Sequence, residues 1–337
     1  MAGLSLSLDL SRLKSEQSEP EKTVRQRDLI VIGAGPAGLT AGIYAGRALL
    51  QPLLLVGQTL GGQAALTDLT ENYPGFPEGV SGMDITQKMA EQAQRFGAEI
   101  AYEEVTAVDL ASYPFRIQTY GDAFLAKSII VCTGASPRKL GVPGEAELTG
   151  HGVSYCATCD AFFYRDKDIV VVGGGDAAID ESLYLTRFVN SITIIHRRDQ
   201  LRASPTLQAR AMRNEKIRFV LDSVVDEIVG QESVQSVRVH NVKTGEASEI
   251  ATQGVFVYVG MVPNTSIFQG KLDLTPDGYI VTDRQYRTNV PGVFAAGDVQ
   301  DPVYRQTIVA AGAGASAAIE AERFLAEKAF EAQEEPR

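Results

Sequence analysis

Short apolar runs recur along the chain, and two of them lead straight into a glycine turn followed by helix-forming residues. The first run covers 28–32 and precedes the turn at 33–38, and the second covers 168–172 and precedes the turn at 173–178. An apolar strand, a tight glycine turn and a helix in this order begin a Rossmann-like unit. The pattern therefore predicts an α/β fold in which one nucleotide-binding unit occurs twice.

Each residue type in these turns has a physical task. The first glycine permits the turn, the second lets backbone N–H groups approach a pyrophosphate, and a third small residue lets the helix pack on the strand. The helix N-terminus then faces the phosphate. One such turn can be a plain strand-to-helix connection, but two copies in the same context indicate two nucleotide sites. The residues predicted to bind nucleotide here are Gly33, Gly35, Pro36, Ala37 and Gly38 in the first unit and Gly173, Gly175, Asp176 and Ala177 in the second.

The next apolar run in each unit, 52–56 and 191–196, indicates which nucleotide binds. An acidic residue at its end would bind a ribose 2′-OH, whereas cations there neutralise a 2′-phosphate. The second unit has cations, which predicts NADPH rather than NADH; the alternative is a solvated basic loop. The predicted contacts are His196, Arg197, Arg198 and Arg202. In the first unit the apolar run ends in Val56, which is neither acidic nor basic. The contact to the ribose of the first nucleotide is therefore unexplained.

Composition excludes several classes of protein. A chain of 337 residues has room for about two domains. A net charge of -11 argues against nucleic-acid binding, which needs a basic face. No apolar run approaches the length of a membrane span, which argues against a membrane protein. The first residues lack the pattern of a signal peptide, so we expect a cytoplasmic, reducing location.

Three cysteines are too few for a disulfide scaffold, and Cys156 and Cys159 form a Cys-X-X-Cys pair shortly before the second unit. At a helix start this spacing lowers one thiol pKa and keeps the second thiol close, as redox exchange requires. Zinc would need further ligands at a suitable spacing, and none is evident. Asp160 is the nearby carboxylate and the candidate general acid/base, or else a cap of the following turn. Cys132 ends an apolar run and is interpreted as a buried strand residue.

These motifs together resemble the low-molecular-weight, NADPH-dependent thioredoxin reductases over about residues 27 to 326. The motifs that carry the resemblance are the two glycine turns, 61–63, 71–76, 156–160, 196–198, 297–298 and 304–306. The resemblance implies FAD in the first unit, NADPH in the second, a homodimer, and thioredoxin or a thioredoxin-like protein as partner. It implies that Cys159 faces the flavin and Cys156 attacks the partner. The residues implied at the flavin are Gly62, Gln63, Asn72, Gly134, Gly297, Asp298, Arg305 and Gln306.

The order of the motifs predicts that the NADPH-binding domain is inserted into a discontinuous FAD-binding domain. The predicted ranges are a flexible N-terminal tail at 1–25, an FAD-binding domain at 26–137 and 264–327, an NADPH-binding domain at 138–263 with the cysteine pair, and a flexible C-terminal tail at 328–337. Pro137 and Pro263 mark the two crossings and predict a double hinge, because one rigid arrangement cannot serve nicotinamide, flavin, dithiol and partner in turn.

The sequence departs from the family pattern in two places, and three alternative functions remain open. Ala161 stands where the family usually has glycine, and the N-terminal tail is additional. One alternative is a related flavoprotein that takes electrons from ferredoxin or another flavin, although such a protein should have lost the second glycine turn or the basic cluster. Another is a flavin-containing redox sensor without turnover. The third, the flavoprotein subunit of alkyl hydroperoxide reductase, needs an additional N-terminal module that this short tail cannot supply.

Overall fold

A computed structural model describes residues 24–67, 70, 72–155 and 157–334, with the backbone alone at 158, 159 and 334. The predicted N-terminal tail lies outside these residues up to position 23, and its last two positions, Val24 and Arg25, already belong to the first strand. The strands are β1 (Val24–Ile32), β2 (Leu53–Leu55), β3 (Glu99–Ala101), β4 (Val105–Asp109), β5 (Phe115–Thr119), β6 (Ala123–Val131), β7 (Ala135–Pro137), β8 (Val153–Ser154), β9 (Asp168–Val172), β10 (Ser191–Ile195), β11 (Ile217–Val220), β12 (Ser223–Gly230), β13 (Val234–Asn241), β14 (Ala247–Ala251), β15 (Gly254–Val257), β16 (Met261–Pro263) and β17 (Val293–Ala295). The helices are α1 (Pro36–Arg47), α2 (Gly82–Arg95), α3 (Ala157–Asp160), α4 (Asp176–Leu185), α5 (Pro205–Met212) and α6 (Thr307–Glu334), with short 3-10 helices at Gly62–Leu66, Ala161–Tyr164 and Ser266–Phe268.

The first sheet has the order β3-β2-β1-β6-β5-β4, and β17 also pairs with β6. Its centre is parallel, with Ile30 opposite Leu53 and Ile129, while β4 and β5 form an antiparallel extension. The end of β1 is fully buried because α1 and α6 cover one face and a second apolar cluster around Phe268 covers the other. Burial on both faces explains why this strand is a continuous apolar run rather than an alternating one.

The second sheet has the order β11-β10-β9-β15-β8, and all its pairings are parallel. One face packs against α3, α4 and α5, and the other packs against the antiparallel sheet β12-β13-β14. The whole sheet is formed by chain that lies between β6 and β17 of the first sheet. This arrangement confirms the predicted fold class, two Rossmann-like units with one inserted into the other.

The two crossings between the units lie side by side. β7 and β16 pair antiparallel, with Pro137 opposite Met261 and Ala135 opposite Pro263. Asn264 extends this ribbon, since its Nδ2 donates to the carbonyl of Thr133 at 2.8 Å. The predicted crossings at Pro137 and Pro263 are therefore the ends of two paired strands.

The C-terminal tail predicted at 328–337 requires correction, because α6 continues to Glu334. Its last turns are rich in alanine, glutamate and lysine, which are good helix formers. A pair between Lys328 Nζ and Glu331 Oε2, 2.7 Å apart, adds local support one turn along the helix. None of the helices in the described part of the chain combines the length and the apolarity needed to cross a bilayer.

Candidate functional site

The first glycine turn is set by close backbone contacts. Gly33 has φ +103°, and a Cβ there would lie 2.3 Å from the carbonyl oxygen of Cys132. A Cβ on Gly38 would lie 1.9 Å from the carbonyl oxygen of Gly33, so this glycine allows α1 to approach the turn. Gly35 caps α1 without any side-chain hydrogen bond. The first N–H groups of α1 are therefore left for a ligand, as a pyrophosphate site requires.

A cavity of about 730 Å³ opens in front of this turn. It is bordered by residues from the first turn, the 3-10 helix after β2, the crossing strands and the start of α6. The predicted residues that line it are Gly33, Gly35, Pro36, Ala37, Gly62, Gln63, Gly134, Gly297, Asp298, Arg305 and Gln306. Gly38 and Asn72 do not line it; Gly38 packs behind the turn, and Asn72 Nδ2 donates to Oε1 of Gln306 at 3.0 Å.

Asp298 lines the cavity and follows Gly297 shortly after the end of β17. Burial, with a further contribution from Asp301, raises the pKa of its carboxyl group to about 6, and nearby Arg305 acts in the opposite direction. Arg305 itself has φ +50°, and its Nη2 donates to the hydroxyl of Tyr279 at 3.2 Å. The carboxylate is thus half-buried and forms no salt bridge among the described residues, so it is available to a ligand hydroxyl.

Several residues that line the cavity have no motif of their own. Gln58 and Glu104 lie near the ends of β2 and β3, and Thr133 and Asn264 lie at the crossings. Glu104 is relevant to the ribose contact that Val56 leaves unexplained. Because β2 and β3 are parallel neighbours, the chain after each of them reaches the same edge of the sheet. Gln58 and Glu104 could have been found from the sequence, because ligands bind at the carboxyl ends of parallel strands.

The dimensions and donors of this cavity fit a flavin dinucleotide. Its volume lies in the range of small-molecule sites. It offers an uncapped helix N-terminus, which suits a pyrophosphate, and the carboxylate of Asp298, which suits a polyol. A Cβ on Gly134, which lines the cavity, would meet none of the described residues within 4 Å, so there is open space beside this residue.

The second glycine turn repeats this geometry. Gly173 has φ +150°, and a Cβ there would lie 2.4 Å from the carbonyl oxygen of Tyr258. Gly175 caps α4 without a side-chain hydrogen bond, and a Cβ on it would meet nothing within 4 Å. Asp176 Oδ1 accepts from the backbone N–H of Ser204 at 2.7 Å. Ala177 is exposed in the first turn of α4. The start of α4 is therefore open to a second phosphate-bearing ligand.

The basic cluster lies beside this second turn. The backbone N–H groups of Arg202 and Ala203 donate to the carbonyl of Gly174 at 2.7 and 3.1 Å, which holds the loop over the turn. Arg197, Arg198 and Arg202 are exposed, and within the described ranges none of the three forms a salt bridge. In the part of the chain that the structure describes, three guanidinium groups without a salt-bridge partner therefore lie near His196, beside the second turn.

His196 differs from the arginines because it is buried against Gly174, where a Cβ would lie 2.4 Å from its Nδ1. Burial lowers the pKa of the imidazole, and the three nearby arginines lower it further, against a backbone hydrogen bond at Gln200. Its Nε2 is buried without a hydrogen-bond partner among the described residues. His196 is therefore neutral at pH 7 and contributes packing, not charge, to the basic cluster.

The redox pair belongs to the segment around α3. Cys156 lies outside the described residues, and for Cys159 only the backbone is described, within α3. Asp160 ends α3 and precedes the 3-10 helix Ala161–Tyr164, but its side chain makes no capping hydrogen bond there. The Cβ of Ala161 is accommodated in the core that α3 shares with α4, so the usual glycine is not required. Cys132 is buried directly after β6, and burial raises its pKa beyond the range of a reactive thiol.

Comparisons with known proteins agree with this architecture. The family model described as pyridine nucleotide-disulphide oxidoreductase matches residues 27–314. The thioredoxin reductase of Streptomyces coelicolor is 49% identical over 313 residues, which are 92% of this chain and 97% of that protein. The bifunctional thioredoxin reductase/thioredoxin of Mycobacterium leprae is 47% identical over 305 residues, which are 90% of this chain and 66% of that protein.

A solved structure gives the same result. The crystal structure of Lactococcus lactis thioredoxin reductase in its FR conformation covers 89% of this chain and 99% of its own, with 47% identity and a TM-score of 0.77. The family match spans both glycine turns and the cysteine pair. The chain belongs to the pyridine nucleotide-disulphide oxidoreductase family, which implies a flavin and a pyridine nucleotide.

Proposed function

We propose that the protein is a thioredoxin reductase that uses NADPH, FAD and the Cys156–Cys159 disulfide. The observation that carries this proposal is the position of α3, which packs against α4 and so joins the redox segment to the start of the second nucleotide unit. In the net reaction, the hydride of NADPH and one proton reduce one disulfide of the partner to two thiols. NADP⁺ is the other product.

The cavity of the first unit is the proposed FAD site. Bound there, FAD supplies a two-electron relay between a nicotinamide and a disulfide. The turn at Gly33 and Gly35 binds the pyrophosphate through backbone N–H groups at the start of α1. Asp298 accepts hydrogen bonds from the polyol, and Glu104 is positioned for the ribose that Val56 cannot contact. Gln306, held by Asn72, lies at the start of α6, whose dipole favours negative charge on the flavin.

NADPH is the proposed donor because of the arginines next to the second turn. The turn from Gly173 to Gly175 offers N–H groups for a pyrophosphate, while Arg197, Arg198 and Arg202 are free to bind a 2′-phosphate. A site for NADH would present an acidic residue at the end of β10 instead. The neutral imidazole of His196 is buried against Gly174 in the second turn and contributes packing to this site.

The proposed chemistry at the dithiol follows thiol–disulfide exchange. Cys156 attacks one sulfur of the partner's disulfide as a thiolate, which forms a mixed disulfide and releases the other sulfur as a thiol. Cys159 then attacks the mixed disulfide, which restores the Cys156–Cys159 bond and frees the second thiol. Asp160 is the proposed proton donor and acceptor for these sulfurs, and its side chain is not committed to capping the turn that follows.

Thioredoxin or a thioredoxin-like protein is the proposed partner. Phe162 and Phe163, directly after the redox segment, are 65% and 68% exposed, and Arg165 stacks over the ring of Phe162 at 5.2 Å. An exposed aromatic pair beside a reactive disulfide suits docking of another protein. The Mycobacterium leprae relative carries, by its name, a thioredoxin in the same protein.

The proposed domain boundaries are 26–137 and 264–327 for FAD and 138–263 for NADPH. They coincide with the ends of the paired strands β7 and β16, which are the only main-chain crossings in the described residues. Two adjacent crossings allow the inserted unit to rotate about one short axis. We further propose a homodimer in the cytoplasm, on the family resemblance.

An anaerobic titration of the flavin-loaded protein tests the donor first. NADPH should bleach the flavin absorption band at far lower concentration than NADH. Thioredoxin added with excess NADPH should then be reduced catalytically. If neither nucleotide bleaches the flavin, NADPH is not the donor, and a ferredoxin or another flavin takes its place. If the flavin bleaches but no thioredoxin is reduced, the partner assignment fails.

A further inference from the structure

Glu145 is a buried carboxylate without a cationic partner among the described residues, and it lies outside the cavity and the basic cluster. Only 2% of the residue is exposed, and no salt bridge to it occurs among the described residues. A buried carboxylate must instead be satisfied by hydrogen-bond donors. The positions of those donors in the chain show which segments Glu145 connects.

Two of the donors belong to the chain that leaves the first crossing. The backbone N–H of Leu140 donates to Oε1 of Glu145 at 2.8 Å, and that of Gly141 donates to Oε2 at 2.7 Å. Leu140 follows the end of β7 at Pro137 by three positions. Both carboxylate oxygens therefore fix the backbone directly beyond the crossing.

The third donor belongs to the redox segment. The hydroxyl of Tyr155 donates to Oε1 of Glu145 at 2.8 Å, and Tyr155 is the residue directly before Cys156. Burial and the hydrogen bond to Glu145 raise the pKa of this phenol to about 12. The hydroxyl therefore stays protonated and donates its hydrogen bond throughout the physiological pH range. One side chain thus connects the exit from the crossing to the start of the redox pair.

The turn that carries Glu145 is itself fixed within the inserted unit. Gly144, directly before Glu145, has φ +83°, and a Cβ there would lie 1.9 Å from the carbonyl oxygen of Ile228 in β12. The backbone N–H of Ile228 donates to the carbonyl of Pro143 at 2.9 Å. The turn that carries Glu145 is therefore held against the antiparallel sheet and cannot follow Tyr155 if that residue moves.

We propose that Glu145 is a positioning residue for the redox pair, which it holds in a defined place relative to the first crossing strand through Tyr155. This inference rests on the proposed function, because it concerns the delivery of electrons to and from Cys156 and Cys159. The hydrogen bonds restrict the segment before Cys156 to one arrangement. Without them, the dithiol occupies its reactive geometry for a smaller fraction of the time, and electron transfer through it slows.

Tyr155→Phe is the main test, because it removes one hydroxyl and leaves the two backbone hydrogen bonds of Glu145 in place. With NADPH, the flavin-loaded variant should reduce thioredoxin about tenfold more slowly than the wild type, the effect expected for loss of a hydrogen bond to a charged acceptor. Reduction of ferricyanide, which accepts electrons from the flavin without the dithiol, should stay within about twofold of the wild type. Alkylation of the reduced cysteine pair by iodoacetamide should also change in rate.

Two further variants complete the design. Glu145→Gln should give the same selective loss, since an amide cannot accept hydrogen bonds from all three donors. Tyr120→Phe, which removes a hydroxyl from an exposed tyrosine between β5 and β6, is the matched control and should change neither rate. The inference is overturned if Tyr155→Phe retains wild-type thioredoxin reduction and alkylation, or if the ferricyanide rate falls in parallel.

A failure of the proposed function is distinguishable from a failure of this inference. If the wild type does not reduce thioredoxin, the flavin is photoreduced instead, and formation of free thiols at Cys156 and Cys159 is followed by thiol titration. Slower thiol formation in Tyr155→Phe than in Tyr120→Phe would still support the positioning role. Equal rates would overturn it.

Discussion

Glu181, on α4, illustrates how position alone changes the chemistry of a carboxyl group. Burial, followed by repulsion from Asp180, raises its pKa from the ordinary value of 4.5 to about 7. Burial raises the pKa of Tyr258 well above its ordinary value, and the charge of Glu181 adds to this shift. The folded protein therefore binds a proton at Glu181 more tightly than the unfolded chain does.

This difference predicts the pH dependence of Glu181→Gln. For the wild type, the contribution of the protonated carboxyl group is complete below about pH 4.5 and is lost as the pH rises through about 7. At pH 8 the variant should therefore be more stable than the wild type by roughly 1–3 kcal/mol, and the gap should close towards pH 5. Urea unfolding at both pH values measures it, with the exposed Glu232→Gln as control. A gap that does not change with pH would contradict the prediction.

Arg198→Ala tests whether the charge of a single residue in the basic cluster contributes to binding NADPH. Removing one guanidinium group from the proposed 2′-phosphate site should raise KM for NADPH by about 10-fold to 100-fold, the loss of one charge-assisted hydrogen bond. The KM for NADH should change little, because NADH has no 2′-phosphate. Steady-state kinetics with both nucleotides measure the ratio. The exposed Arg213, on the far end of α5, supplies the control Arg213→Ala. Equal losses for both nucleotides would argue against this role.

At the scale of elements, the contact of α1 with α6 depends on small residues. A Cβ on Gly314 would lie 2.0 Å from the carbonyl oxygen of Ala37, whereas a Cβ on Gly312, one half-turn away, would meet nothing within 4 Å. Ala37 also lines the cavity, at the first turn of α1. The small-residue run in α6 therefore allows two helices to meet at the back of the proposed flavin site.

Two glycine-to-alanine variants in α6 should consequently have opposite effects. Gly314→Ala forces the helices apart and should destabilise the protein by roughly 1–3 kcal/mol, with weaker flavin retention. Gly312→Ala should stabilise it by about 0.5–1 kcal/mol, since alanine favours the helix and no clash arises. Thermal unfolding and the flavin-to-protein absorbance ratio report both effects. Similar stability of the two variants would show that the close contact does not limit packing.

At the scale of the whole molecule, β7 and β16 form one narrow ribbon between the two units. The proposed rotation about this ribbon moves a large body through solvent, so thioredoxin turnover should slow as viscosity rises. We expect about a twofold decrease when glycerol doubles the viscosity. Ferricyanide reduction, which needs only one orientation, should change much less. A polymer that raises bulk but not local viscosity is the control. Equal sensitivity of both reactions would argue against a rotation during turnover.

Much of the fold was predictable because its signals are local. The apolar runs at 28–32 and 168–172 form the central strands β1 and β9, and the turns at Gly33 and Gly173 have the positive φ that favours glycine. The insertion of one unit into the other followed from the order of these motifs. The end of α6 was predicted wrongly, because charged residues at 328–334 were interpreted as a tail although they are strong helix formers.

The sequence by itself determined the repeated strand–turn–helix units, the vicinal cysteines and the arginines, because each depends on residue type and spacing within a short stretch. Only the tertiary structure decided which groups lose water or meet distant partners. His196 is neutral rather than cationic because it is buried against Gly174, and Glu104 reaches the cavity because β3 lies beside β2. Glu145 binds Tyr155 because the chain folds back between them. Burial and long-range contact are properties of the assembled sheets, and no local pattern encodes them.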